Sequence, residues 1–179
     1  SDLTLQAAQR YWLLNNFTEI PVDPPLNGRI VINGLSTPIP TLSVFPGVVE
    51  LGPQHVVGKR FDLQIWLKGL DAGWHLSVVT IMLDFNSTLV EPLAVQAGPF
   101  LSQFGNVMTN SSIEANRVSI KQALQNGPAN YPSGEGIVAT VSFNATYQKS
   151  VQETVEAPFL LGASLLQDTD GITVPVGVS

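Results

Sequence analysis

Hydrophobic and polar residues alternate in short runs along most of this chain. Phe61, Leu63, Ile65 and Leu67 interleave with Asp62, Gln64, Trp66 and Lys68, the period of a strand with one buried face. Val118 and Ile120 alternate with Arg117, Ser119 and Lys121, and Ile137, Ala139, Val141 and Phe143 share one phase of a run from Gly136 to Ala145. Leu76 to Phe85 alternates less cleanly and predicts a more deeply buried strand. Shorter strands are expected at 42–44, 48–51, 89–90, 159–161 and 163–166. Residues 98–105 read as a helical turn or loop, and the Gly/Pro/Asn-rich stretch 126–134 as a loop. Many short strands separated by Gly and Pro predict an all-β protein, an antiparallel β-sandwich.

The front of the chain has a different character. Leu3 to Leu5 and Arg10 to Leu14 are apolar stretches before a turn at Asn15-Asn16, and Ala7 to Arg10 would also support a short helix. Pro21, Pro24 and Pro25 predict an extended, unladdered segment from Ile20 to Pro25. Gly28, Arg29, Ile30, Val31 and Ile32 form a β-branched run bounded by Asn27-Gly28 and Asn33-Gly34, a clear strand signal. Pro38-Ile39-Pro40 reads as a stiff linker. The expected organisation is an N-terminal extension, 1–40, and a sandwich domain, 41–179.

Composition narrows the function. Charged residues are 12% of the chain, about half the usual share. Neutral polar groups, sugar or burial in an assembly must then keep the surface soluble. A net charge of −6 with no basic run excludes a nucleic-acid binder. With no cysteine, disulfides, thiolate metal sites and cysteine nucleophiles are all excluded. No apolar run approaches the ~18 residues of a membrane span and no signal peptide is present, so an exported protein would be seen here in its mature form. Asn16, Asn86, Asn110 and Asn144 each begin an Asn-x-Ser/Thr sequon. Sequons, low charge and absent cysteine favour an archaeal or bacterial protein of the cell surface.

Catalysis finds no support in the motifs. His55 and His75 lack metal-ligand spacing, and there is neither a phosphate loop nor a Gly-x-Ser-x-Gly elbow. Asp168 and Asp170, in Asp-Thr-Asp-Gly, are the one metal candidate, offering hard oxygens to Ca²⁺. The same Asp-Gly pair is equally a hairpin turn. Trp66 and Trp74 are candidates for stacking on a sugar or a neighbouring subunit.

Several stretches, in order, resemble a cohesin-type domain: 57–63, 70–75 (Leu-Asp-Ala-Gly-Trp-His), 83–86 with 89–91, 98–101, 134–143 and 165–171. Cohesin-type domains are jelly-roll sandwiches that bind partners in scaffolding, adhesion and surface-layer settings. In the family, a segment like 165–176 leads into a final closing strand. Here a similar segment occurs twice, at 3–22, followed by the 28–32 run, and at 165–176, followed by no strand signal. The resemblance therefore implies a subunit that donates residues 28–32 to the next copy. It would polymerise by donor-strand complementation into a glycosylated surface filament or pilus. Its partners would be other copies of itself and N-linked glycans. A monomeric cohesin-like module that binds a protein or carbohydrate is the alternative. The same residues also allow a strand folded back on its own domain, a unit cut from a tandem array, or a fortuitous repeat.

Overall fold

The computed structural model describes residues 12–15, 18–21, 38–52, 56–125, 127, 130–148 and 154–178. The chain divides into two compact units, Ser1–Ser36 and Thr37–Ser179.

In the first unit, β1 (Trp12–Asn15) and β2 (Thr18–Pro21) form an antiparallel hairpin, with Asn15 opposite Thr18 and Trp12 opposite Pro21. Ile20 and Pro21 are thus laddered, contrary to the extended, unpaired segment expected from the prolines. A two-stranded sheet leaves each strand an edge, where a proline without an N–H is tolerated. The expected strand Gly28–Ile32 and the expected helix 7–10 lie outside the described residues.

The second unit is a sandwich of two sheets. One has the order β13-β3-β4-β9-β6, built from β3 (Thr41–Phe45), β4 (Arg60–Leu70), β6 (Val90–Ala97), β9 (Gly134–Ala145) and β13 (Gly177–Val178). The other runs β12-β11-β5-β8-β7, with β10 also on β5. Its strands are β5 (Leu76–Asp84), β7 (Val107–Ile113), β8 (Arg117–Leu124), β10 (Leu160–Leu161), β11 (Leu165–Asp168) and β12 (Thr173–Val174). All ladders in the unit are antiparallel except β13 on β3.

The alternating residues meet between the sheets. Leu63, Ile65 and Leu67 of β4 face Leu76, Val79, Ile81 and Leu83 of β5, with Val118, Ile120, Val141 and Phe143 completing the buried cluster. Strand β5 has ladder partners on both sides, β8 on one and β10 and β11 on the other. That position explains its half-covered outer residues and its blurred alternation.

Three local expectations change, and one strand appears that the hydrophobic pattern does not predict. Residues 48–51 form no ladder; after Pro46-Gly47 the segment leaves the sheet, and Val48 stays 77% exposed. The strand expected to stop before Pro92 continues to Ala97, because β6 is an edge strand that absorbs the proline with a register shift between Pro92 and Ala94. Strand β7 carries no apolar alternation, since it is an outer edge with mostly exposed residues. Finally, 165–176 is followed by a strand after all: Gly177 and Val178 pair in parallel with Thr41 and Leu42.

Gln122 is buried among apolar residues in β8. Its Nε2 donates to the Val138 carbonyl at 2.5 Å, which ties β8 to β9 across the sandwich. Val138 lies at the register shift of the β4–β9 ladder and also accepts from the Gly98 N–H at 3.0 Å.

Candidate partner-binding groove

Strand β3 pairs with β4 only from Gln64 to Lys68, leaving Arg60 to Leu63 of β4 with no strand on that side among the described residues. On its other edge, β3 is covered by β13 at Thr41 and Leu42 alone, so Ser43 to Phe45 also lack a ladder partner among the described residues. The chain after Phe45 spreads outward instead of closing the gap. The result is an open groove of about 870 Å³ at the end of the sandwich where β4 starts and β9 finishes. Val44, Val48, Phe61, Leu89, Val155 and Phe159 are among its walls. That volume suits several branched side chains of a ligand.

Phenylalanines form the base. The ring of Phe143, fully buried on β9, lies 5.7 Å from Phe61 in a stacked pair, 5.4 Å from Phe85 edge to face, and 4.9 Å from Phe159. Phe61 and Phe159 meet edge to face at 6.0 Å. Phe61 belongs to the alternating β4 pattern, while Phe159 comes from the segment before β10, so one ring cluster joins both sheets. Of the lining residues, Val48 and Val155 are large apolar side chains left exposed to water. Two carboxylates, Glu50 and Glu156, line the same groove, and neither has an ion-pair partner among the described residues. Lys59 is committed locally: its Nζ donates to the Leu51 carbonyl at 2.6 Å and anchors the diverging 46–52 segment.

The sites expected from sequence are dispersed. Asn86 is exposed on the turn after β5, and its Oδ1 accepts from the Thr88 N–H at 3.0 Å and hydroxyl at 2.8 Å. Asn110 is exposed on β7 opposite Lys121. Asn144 lies in β9 between Arg60 and Glu91, with its Oδ1 enclosed and without a hydrogen-bond partner among the described residues. Asn16, His55 and the run Gly28 to Ile32 fall outside the described residues.

Asp168 caps the β11–β12 hairpin: its Oδ1 accepts from the N–H groups of Asp170, at 2.9 Å, and Ile172, at 2.8 Å. Gly171, at φ 78°, supplies the left-handed residue of that turn. These bonds occupy one oxygen of the calcium candidate with backbone. No set of three or more His, Cys, Asp or Glu residues converges among the described residues. Trp66 donates its indole N–H to Gln64 at 3.1 Å, and Trp74 to the Pro38 carbonyl at 3.2 Å, so each indole is tied to its own chain. His75 stacks on Tyr131 at 4.1 Å. Arg117 donates to Asp84 through Nε at 2.5 Å and an Nη at 3.0 Å. The Asp84 carboxyl is held below its usual range, first by that hydrogen bond, with burial opposing it and the guanidinium charge reinforcing it.

Sequence reasoning did not find the groove. Its signals were present: apolar Val48-Val49 directly after Pro46-Gly47, and Ala157-Pro158-Phe159 after a polar stretch. Val48 and Phe159 instead read as parts of short strands, 48–51 and 159–161, which conceals that they wall an open space.

Neither a family model nor a curated protein sequence matches the chain. Among solved structures, a non-cellulosomal cohesin from the archaeon Archaeoglobus fulgidus superposes with a TM-score of 0.56 at 19% identity, covering 79% of this chain and 86% of that one. A cohesin in a type I cohesin–dockerin complex from Clostridium thermocellum gives 0.60 at 15% identity, covering 79% and 89%. A type II cohesin from Bacteroides cellulosolvens gives 0.56 at 17% identity, covering 78% and 95%. The expectation from the sequence motifs holds at the level of architecture: the sandwich has the fold of a cohesin domain.

Proposed function

We propose that this chain is a non-enzymatic protein-binding module of the cell surface. It takes an extended apolar segment of a protein partner into the groove beside β3 and β4. The observation that carries this reading is the combination of an apolar, phenylalanine-floored groove with strand edges that have no ladder partner there. Strand addition uses such a pair of features together, backbone ladder bonds giving affinity and pockets for alternate side chains giving selectivity. Cohesins of the same fold are seen in complex with dockerins, which supports a protein as the class of partner. The test is fluorescence anisotropy with a labelled seven-residue peptide of alternating valine and threonine, added to the full chain. Binding should weaken at least about tenfold on Val48→Asp, which puts a charge on the apolar lip. Unchanged binding by that variant would move the site elsewhere.

A second reading is a head-to-tail surface filament in which the partner is another copy of this chain. The open β3 edge and the β-branched run at 28–32 favour it. Exposure on the cell surface is supported by the four sequons and the low charge. Glycans on Asn86 and Asn110 would then raise the intact mass above 19.2 kDa in a glycosylating host. Asn86→Gln and Asn110→Gln would each remove a step of added mass, whereas Asn144→Gln would not, its amide being set in a central strand.

A further inference from the structure

We infer that the occupant of the groove is residues Gly28 to Ile32 of a second copy, with Ile30 and Ile32 entering the groove and Arg29 on its acidic rim. This rests on the reading of the groove as a docking site, and adds to it the identity of the partner.

Three observations converge on that segment. The first is shape and polarity: in an extended chain Ile30 and Ile32 share one face, and the groove is walled by Val44, Val48, Phe61 and Phe159. The second is charge. Glu50 and Glu156 stand at the groove, and Arg29 is the one charged residue between Asp23 and Glu50. With the isoleucines inward, Arg29 projects from the opposite face, toward the rim. The third is the open strand edge. The sandwich unit begins at Thr37, and at its first strand Gly177 and Val178 already occupy the β3 edge beside Thr41 and Leu42, with the Gly177 N–H bound to the Pro40 carbonyl at 2.9 Å. The groove lies beyond, at the Phe45 end. There the edge of β3 from Ser43 to Phe45 has no ladder partner among the described residues, so a strand of a second copy can be added to it. Because the donated segment and the groove are different surfaces, the contact is heterologous, and each copy that gives a strand still offers an open groove.

The test uses two full-length variants, each defective on one side. Ile30→Asp with Ile32→Asp spoils the donated segment. Val48→Asp with Val155→Asp spoils the groove at two solvent-exposed positions, so folding is retained and is checked by circular dichroism. Light scattering should show wild-type species at multiples of the 19.2 kDa chain mass and each variant alone as a monomer. The equimolar mixture should form a heterodimer, since one intact donor and one intact groove remain. Folded variants that stay monomeric when mixed, or a wild-type chain that is monomeric at all concentrations, would overturn the assignment. A labelled Asn-Gly-Arg-Ile-Val-Ile-Asn peptide, titrated into the donor-defective variant, separates the two levels of the reading. It should bind about a hundredfold more tightly than the same peptide with both isoleucines replaced by Asp, each buried isoleucine contributing roughly tenfold. If the valine-threonine peptide binds and this one does not, the groove stands and its occupant is wrong. If neither binds, both readings fall.

Discussion

Replacing Phe143 with alanine removes the ring on which the groove's base is assembled. The side chain is fully buried and contacts three other phenylalanines at centroid distances of 4.9 to 5.7 Å. Phe→Ala substitutions at such sites cost about 3–5 kcal/mol, and the three ring contacts place this one near 4. Phe159→Ala removes a half-buried ring with two ring contacts and should cost about half as much. Urea unfolding followed by far-ultraviolet circular dichroism measures both. With a slope near 2 kcal/mol/M, Phe143→Ala should lower the midpoint by about 2 M and Phe159→Ala by about 1 M, with the slope unchanged. The double variant should fall short of the sum by about 1 kcal/mol, the coupling of the shared ring contact. Phe143→Leu keeps most of the volume, costs less than about 1.5 kcal/mol, and provides the series if the alanine variant does not fold. A Phe143→Ala cost below about 1 kcal/mol, or one smaller than that of Phe159→Ala, would refute the view that Phe143 organises this end of the core.

Gly98→Ala should be among the costliest small substitutions, about 3 kcal/mol or more in the same assay. The added Cβ would press on the Ile137 carbonyl and sit 2.8 Å from the Val138 carbonyl carbon, all backbone of β9. Gly47→Ala, with no atom within 4 Å, should change stability by no more than about 0.5 kcal/mol. The Asp84–Arg117 pair gives a pH signature. Because the folded carboxyl titrates below the ordinary value of about 3.9, its stabilising contribution is complete above that value and fades as pH falls through the folded one. The difference in melting temperature between wild type and Asp84→Asn, small for a surface pair, should therefore be constant above about pH 5 and shrink below about pH 4. Asp168→Asn should keep the hairpin, since an amide oxygen still accepts from Asp170 and Ile172, whereas Asp168→Ala should cost about 1 kcal/mol. A melting temperature that rises with millimolar calcium in wild type, and not in Asp168→Asn, would favour the metal reading of that turn.

The strands that carry the core were legible because each has one wet and one dry face. Arg60–Leu70 and Arg117–Leu124 write that contrast directly into their residues. Val107–Ile113 was not legible, since an exposed edge strand has no dry face to mark. Gly177–Val178 is too short to carry a period at all. The groove was hidden for a related reason. Val48 and Val155 read as ordinary apolar residues, and only the three-dimensional divergence of their segments from β4 shows that they face open space. Asp168 shows the reverse case: the residues were picked out, but hydrogen bonding, not spacing, distinguishes a turn cap from a ligand.

The outer edge of β6 has a consequence for how this weakly charged protein avoids sticking to itself at random. Pro92 brings no N–H to that margin, and the register shift beside it breaks the regular spacing of backbone groups that a stray strand would need. The margin of the opposite sheet, β7, is polar through its middle, Thr109, Asn110, Ser111 and Ser112, with the exposed Met108 and Ile113 confined to its ends. Two rims of the sandwich are thus blunted, one by covalent geometry and one by hydration. Copies of a protein so sparsely charged can then crowd together without pairing through those two rims.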